Sequence, residues 1–299
     1  MNVTRATQMV SLLAVLLAAG TVRAEPVGFA FEQSIYQDSK EGPLKGPEGV
    51  ACSDTALVVA DSGNKRLITF TLKDGRLSLG TEVRLTQLTY PTRLQLDSKG
   101  GIFALDGKTR KIVRMDPKGV YAGTVEVKGV ASASSIVPAS FKLDAADALY
   151  LLDVAGHRVL VLDANGTVTR ELELPKTGEF TDVAVDLAGT IFAVDGVNAS
   201  LWSAEKSATA FAAIAKSMKD KMNFPASMVS SKGKLFLVDQ YGNGIVTLGI
   251  DGSYQGRQLA IGWNDGSVYY PSQLCMTEGG AAFLADRNNN RVQYFSLAR

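Results

Sequence analysis

The chain has 299 residues, 46% hydrophobic and 20% charged, with 31 Lys and Arg against 30 Asp and Glu, one His and two Cys. Without Arg5 and Arg23, which fall in the leader described next, the balance is 29 basic to 30 acidic. A near-neutral chain with no basic run exerts no long-range pull on phosphate backbones, which excludes nucleic acid as an expected partner. A single His excludes His-rich metal sites and a two-His acid–base pair, and with no Cys-x-x-Cys-His motif no c-type heme is attached.

Met1 to Met9 carries Arg5 and no acid, Val10 to Ala19 is apolar apart from one Ser, and Val22-Arg23-Ala24 places small residues where a signal peptidase reads them. The apolar run is too short for a stable membrane anchor. Residues 1–24 therefore read as a secretory signal peptide and 25–299 as one soluble domain, periplasmic or extracellular. No Cys at the cleavage point calls for a lipid anchor, and no later segment suggests membrane insertion. An all-β domain of this length can bury a sizeable core.

From Gly28 to Tyr36 runs an extended segment with no counterpart. After it, one pattern occurs six times: a short apolar strand ending in Asp, a four-residue turn, and a second strand. The Asp residues are 61, 106, 153, 195, 239 and 286, with gaps of 45, 47, 42, 44 and 47. Each unit opens near a Pro or Phe some 14 or 15 residues before its Asp, at Pro47, Pro91, Pro138, Phe180, Pro225 and Pro271. Proline is tolerated at a strand's first residue, where no ladder donor is needed. Turns such as Lys73-Asp74-Gly75, Ala164-Asn165-Gly166 and Asp251-Gly252 then lead into a weaker fourth strand, as at Glu82–Leu85, Thr124–Val127 and Thr169–Leu174. Four-strand repeats of this period are propeller blades. The expected fold is all-β, a six-bladed β-propeller of four-stranded antiparallel blades. The sixth unit lacks its fourth strand, and Gly28 to Tyr36 is expected to supply it, closing the ring and removing an open edge.

A basic residue stands five after the Asp at Arg66, Lys111, Arg158 and Arg291, replaced by Ser200 and Gly244 in units four and five. A pair repeated in most blades reads as a structural bridge across the turn. Cys52 and Cys275 lie on the first strands of units one and six, which a closed ring makes neighbours. Two readings stay open: a disulfide across the closure seam, or two buried thiols. Packed sheets lie about 10 Å apart and a bridge needs Cα atoms within roughly 7 Å, but blades converge toward the axis.

The unit resembles the NHL repeat. The match rests on Pro47-Glu-Gly-Val-Ala with Val59-Ala60-Asp61-Ser-Gly-Asn-Lys-Arg66-Leu-Ile, and on Leu284-Ala285-Asp286-Arg-Asn-Asn-Asn-Arg291-Val-Gln-Tyr-Phe295. The middle units fit loosely, and the shared residues are structural. The resemblance implies a six-bladed propeller and, given export and neutral charge, a non-catalytic protein-binding or scaffold module with no cofactor and a protein partner. Related propellers that amidate peptides use several metal-binding His, where this chain has His157 alone. Those that open lactones use Glu and Asn around an axial metal. A metal-dependent lyase or lactone hydrolase, or a small-ligand sensor, is the alternative.

First-strand entrances and turns between second and third strands share one face of a propeller. That face is expected to gather Glu48, Arg93, Ser140, Asp182, Ser227 and Gln273 around the channel mouth, with the loops into blades five and six as the longest rim. Loops on a rigid scaffold make the default binding surface. Trp263 and Tyr269 lie in the blade-six loop and suit either partner contact or packing, whereas an aromatic before Pro at Tyr90, Phe224 and Tyr270 suggests packing. Phe211, Ile214, Met218 and Met222 have helical spacing. The expected form is an outer strand followed by a helical turn, with the two Met either packed on the blade or exposed.

Overall fold

The computed structural model describes residues 28–131 and 133–298, so the signal peptide and the expected start at Glu25 lie outside the described residues. These residues form six antiparallel sheets in a ring. The innermost strands are Gly49–Cys52, Pro91–Leu96, Pro138–Leu143, Phe180–Val185, Pro225–Ser231 and Leu274–Met276. The second strands end at the repeated Asp: Ala56–Asp61, Ile102–Asp106, Leu149–Asp153, Ile191–Asp195, Lys234–Asp239 and Ala281–Asp286. Their apolar runs are continuous because both faces of each blade are covered. In blade 3, Leu149 and Leu151 pack toward blade 2 with Leu105 and Phe141, while Tyr150 and Leu152 pack toward blade 4 with Phe180 and Val183. An apolar cluster fills each blade interface, the blade 6 to blade 1 seam included.

Gly28–Ile35 pairs antiparallel with Arg291–Ala298, from Gly28 opposite Ala298 to Ile35 opposite Val292, and becomes the outer strand of blade 6 as expected. Phe29 packs edge-on against Phe295 and Phe236, so this strand also touches blade 5. Cys52 and Cys275 form a disulfide, with sulfurs 2.00 Å and Cα atoms 5.9 Å apart. Convergence of the innermost strands at the axis brings the two backbones within reach.

Other expectations shift in detail. The outer strand of blade 2 is Tyr121–Thr124, earlier than Thr124–Val127. The loop into blade 3 (125–137) is longer than that into blade 5 (216–224), so blades five and six do not hold the two longest. Ala212–Ala215 is a strand, and one turn follows in which the Met222 N–H reaches the Met218 carbonyl at 3.0 Å. Both Met are buried between blades 4 and 5, so they pack rather than stand exposed.

The repeated Asp ties the strand-two turn to the loop that leads into the same blade. Its carboxylate accepts the N–H of Lys45 in blade 1, Tyr90 in blade 2, Val137 in blade 3, Phe224 in blade 5 and Tyr269 in blade 6. Arg66, Arg158 and Arg291 bridge to it at 2.6, 2.9 and 2.7 Å. Lys111 in blade 2 makes no such bridge and is exposed; the Asp106 carboxylate there is met by backbone N–H groups of Thr89, Tyr90, Lys108 and Thr109. In blade 4 Asn198 donates to Asp195 at 2.7 Å, and in blade 5 Arg257 of the outer strand reaches Asp239 at 2.7 Å.

Candidate functional site at the strand-entrance face

In blades 2 to 5 the innermost strand carries a bulge just after its first residue, as between Pro91 and Arg93. The residue that follows heads for the axis. The equivalent position two after Pro47 is Gly49, not Glu48, so Glu48 is corrected out of the axial ring: a one-residue slip turns a side chain to the other face. Gly49 leaves the space that Gln273 fills, since a Cβ there would lie 3.2 Å from Gln273 Oε1 and 2.9 Å from the Thr92 carbonyl oxygen. Gln273 Oε1 accepts from the N–H groups of Val50 and Leu94, and its amide donates to the Leu94 carbonyl at 3.0 Å.

The rest of the ring also bonds to itself. Arg93 crosses the axis to the Ala226 carbonyl at 2.8 Å. Asp182 accepts from the Ser140 hydroxyl and from the N–H groups of Val183 and Met228, and lies 3.3 Å from the Lys142 ammonium. Ser140, Asp182 and Ser227 are 0% exposed. This ring closes the axis and joins blades 1 to 6 across it; it is not an open mouth. Among the described residues no three His, Cys, Asp or Glu side chains converge on a metal position. Both Asp182 oxygens are committed and Glu48 faces elsewhere, so the donor set of a metal-dependent lactone hydrolase is not assembled.

Above this plug lies an aromatic arc. Tyr90, Phe224 and Tyr270 precede the opening Pro of blades 2, 5 and 6, and Tyr241 and Arg287 come from the strand-two turns of blades 5 and 6. Glu48 accepts from the Tyr90 hydroxyl at 2.6 Å and pairs with Arg287 at 3.1 Å. The Arg287 guanidinium lies over the Tyr270 ring at 5.4 Å, Tyr270 meets Tyr241 at 5.4 Å, and Tyr241 stacks on Phe224 at 4.7 Å. Burial raises the Tyr90 phenol, with the Glu48 carboxylate adding to it. Burial and Tyr241 raise Tyr270 likewise, so both phenols stay neutral at physiological pH. Beyond them Trp263 is 74% exposed, its ring 6.1 Å from half-buried Tyr269. Their loop is pinned by Arg291, which donates to the carbonyls of Asn264 and Ser267 at 2.8 Å each. Sequence reasoning missed Tyr241 and Arg287. Their signal was a large side chain in a turn that reads Ser-Gly-Asn-Lys in blade 1. His157 sits exposed in the blade 3 turn, away from this arc.

No family model and no curated protein matches the chain. Solved structures do. A streptogramin B lyase aligns with a TM-score of 0.65 at 16% identity, over 90% of this chain and 98% of its own. A gluconolactonase from Xanthomonas campestris aligns with 0.64 at 13%, over 92% and 99%. A chain of a nidogen/laminin complex aligns with 0.57 at 16%, over 77% and 91%. At these identities the likeness establishes the fold alone. It corrects one expectation: the first two of these neighbours are enzymes, so a non-catalytic role does not follow from this propeller.

Proposed function

We propose that the chain is an exported propeller of NHL type, residues 25–299 forming one domain in the periplasm or outside the cell, that recognises a protein partner on its strand-entrance face. The observation that carries this reading is the arc from Tyr90 through Glu48, Arg287, Tyr270 and Tyr241 to Phe224, with Trp263 and Tyr269 standing beyond it on a pinned loop. Aromatic and Arg side chains on a rigid support give large contact area at low entropic cost and dominate interface energetics. A nidogen/laminin complex chain among the structural neighbours is consistent with it. Trp263→Ala and Tyr241→Ala are expected to lower partner recovery in a pull-down from the exported fraction, each costing about 2 kcal/mol or more. Tyr121→Ala, on the outer strand of blade 2, serves as control. Equal recovery by all three variants defeats the reading.

A catalytic reading is favoured by a separate observation: Glu48 is held between a phenol and a guanidinium at the mouth of a fold that a lyase and a gluconolactonase share. Its test is lactone opening, with gluconolactone and a cyclic streptogramin B offered as substrates. Turnover that Glu48→Gln abolishes with the fold intact would place this reading first.

A further inference from the structure

At the opposite end of the axis, where the innermost strands finish, lies a cavity of about 210 Å³. Leu96, Val229, Met276 and the Cys52–Cys275 disulfide stand in its walls. Its polar lining is Lys142, Gln95 and Ser230. Lys142 is 7% exposed. An ammonium has three donors, and this one has a single partner among the described residues, Asp182. The Gln95 amide and the Ser230 hydroxyl have none there.

The charges on the axis do not balance. Lys142 pairs with one carboxylate, Asp182, while the nearby Arg93 guanidinium reaches only the Ala226 carbonyl and its Nε is buried without a partner. Burial pushes the Lys142 ammonium below its ordinary range, and Asp182 opposes this while Arg93 adds to it. A buried surplus of positive charge is costly, and an incoming anion relieves it. Glu48, the acidic residue named at the other mouth, is committed to Tyr90 and Arg287.

We infer that this cavity is a binding site for a small monocarboxylate, its carboxylate received by Lys142, Gln95 and Ser230. The volume admits a single ring or a short chain. The site is independent of the strand-entrance face and stands or falls separately from it.

Benzoate is the probe, with benzamide as its neutral isostere, each titrated calorimetrically into the intact protein. Benzoate is expected to bind at one site and to raise the melting temperature progressively, with the logarithm of its concentration above Kd, and benzamide to do neither. Gln95→Leu should weaken benzoate several-fold and Lys142→Met by about tenfold or more. Bound benzoate should also slow reduction of Cys52–Cys275 by dithiothreitol, because the disulfide forms part of the wall. That last readout needs no variant and holds even if Lys142→Met fails to fold. Equal binding of benzoate and benzamide overturns the proposal. So does an absence of saturable benzoate binding, or binding that neither Gln95→Leu nor disulfide protection registers.

Discussion

Arg291 and Lys111 occupy the same place in the repeat and do different things. Arg291 is 1% exposed, bridges Asp286 and pins the Trp263 loop, whereas Lys111 points into solvent. Arg291→Leu leaves the Asp286 carboxylate buried without its cation, and denaturant unfolding should register a loss of about 3–5 kcal/mol. Lys111→Ala should change stability by less than about 0.5 kcal/mol. Tyr150 offers a titration of known sign. Burial, then its 3.0 Å bond to Asp144, pushes the phenol up to about 12. A group raised in the folded state contributes stability below its unfolded value, near 10, and that contribution disappears as pH climbs toward 12. Chemical denaturation across this window should show a fall of roughly 2 kcal/mol that Tyr150→Phe removes. At this scale the sequence disclosed the Asp but only part of its partnership. The Arg five residues on is a local signal, while Arg257 arrives from the outer strand and Asn198 bonds within its own turn. Glu48, the side chain nearest the expected place, falls one residue short of the ring position counted from Pro47, which belongs to Gly49 and, with no side chain there, makes room for Gln273.

Among elements, the strand Gly28–Ile35 was legible from arithmetic alone: five complete units and one short of a strand, with one spare strand at the start. Its removal should expose the Arg291–Ala298 edge with its backbone donors and acceptors unpaired. A chain beginning at Tyr36 is expected to associate as concentration rises, and size-exclusion chromatography should show it. The clamp between blades 2 and 3 could not be read in this way. There the Lys128 N–H donates to the carbonyl of Gly166, whose φ is +81°, and the Val168 N–H donates to the Lys128 carbonyl. A Cβ at Gly166 would sit 2.2 Å from the Glu126 carbonyl oxygen. Gly166→Ala should cost about 2–3 kcal/mol by thermal unfolding, the sum of a strained φ and a displaced loop. The sequence marked Gly166 as a hairpin residue, but the neighbouring blade that constrains it is 40 positions away along the chain. For the same reason the aromatic arc stayed hidden, since its members come from four blades and no local window holds two of its ring contacts.

The whole molecule is held shut twice at one seam, by a shared sheet in blade 6 and by Cys52–Cys275 between blades 6 and 1. The disulfide spans 223 residues of sequence, and a loop of that length is worth up to about 5 kcal/mol in the chain-entropy account. Reducing it, or replacing both Cys with Ser, should lower stability by about 2–5 kcal/mol while the far-ultraviolet spectrum keeps its β character. The strand that shuts blade 6 also sets a timetable. Gly28–Ile35 is synthesised about 260 residues ahead of the strand it pairs with, Arg291–Ala298. At about 5–20 residues per second, the earlier strand waits roughly 13 to 53 s for its partner to exist. Throughout that interval Phe29 and Phe31 have no native sheet to join. A propeller built to this plan closes its ring only after the third strand of blade 6 has been made.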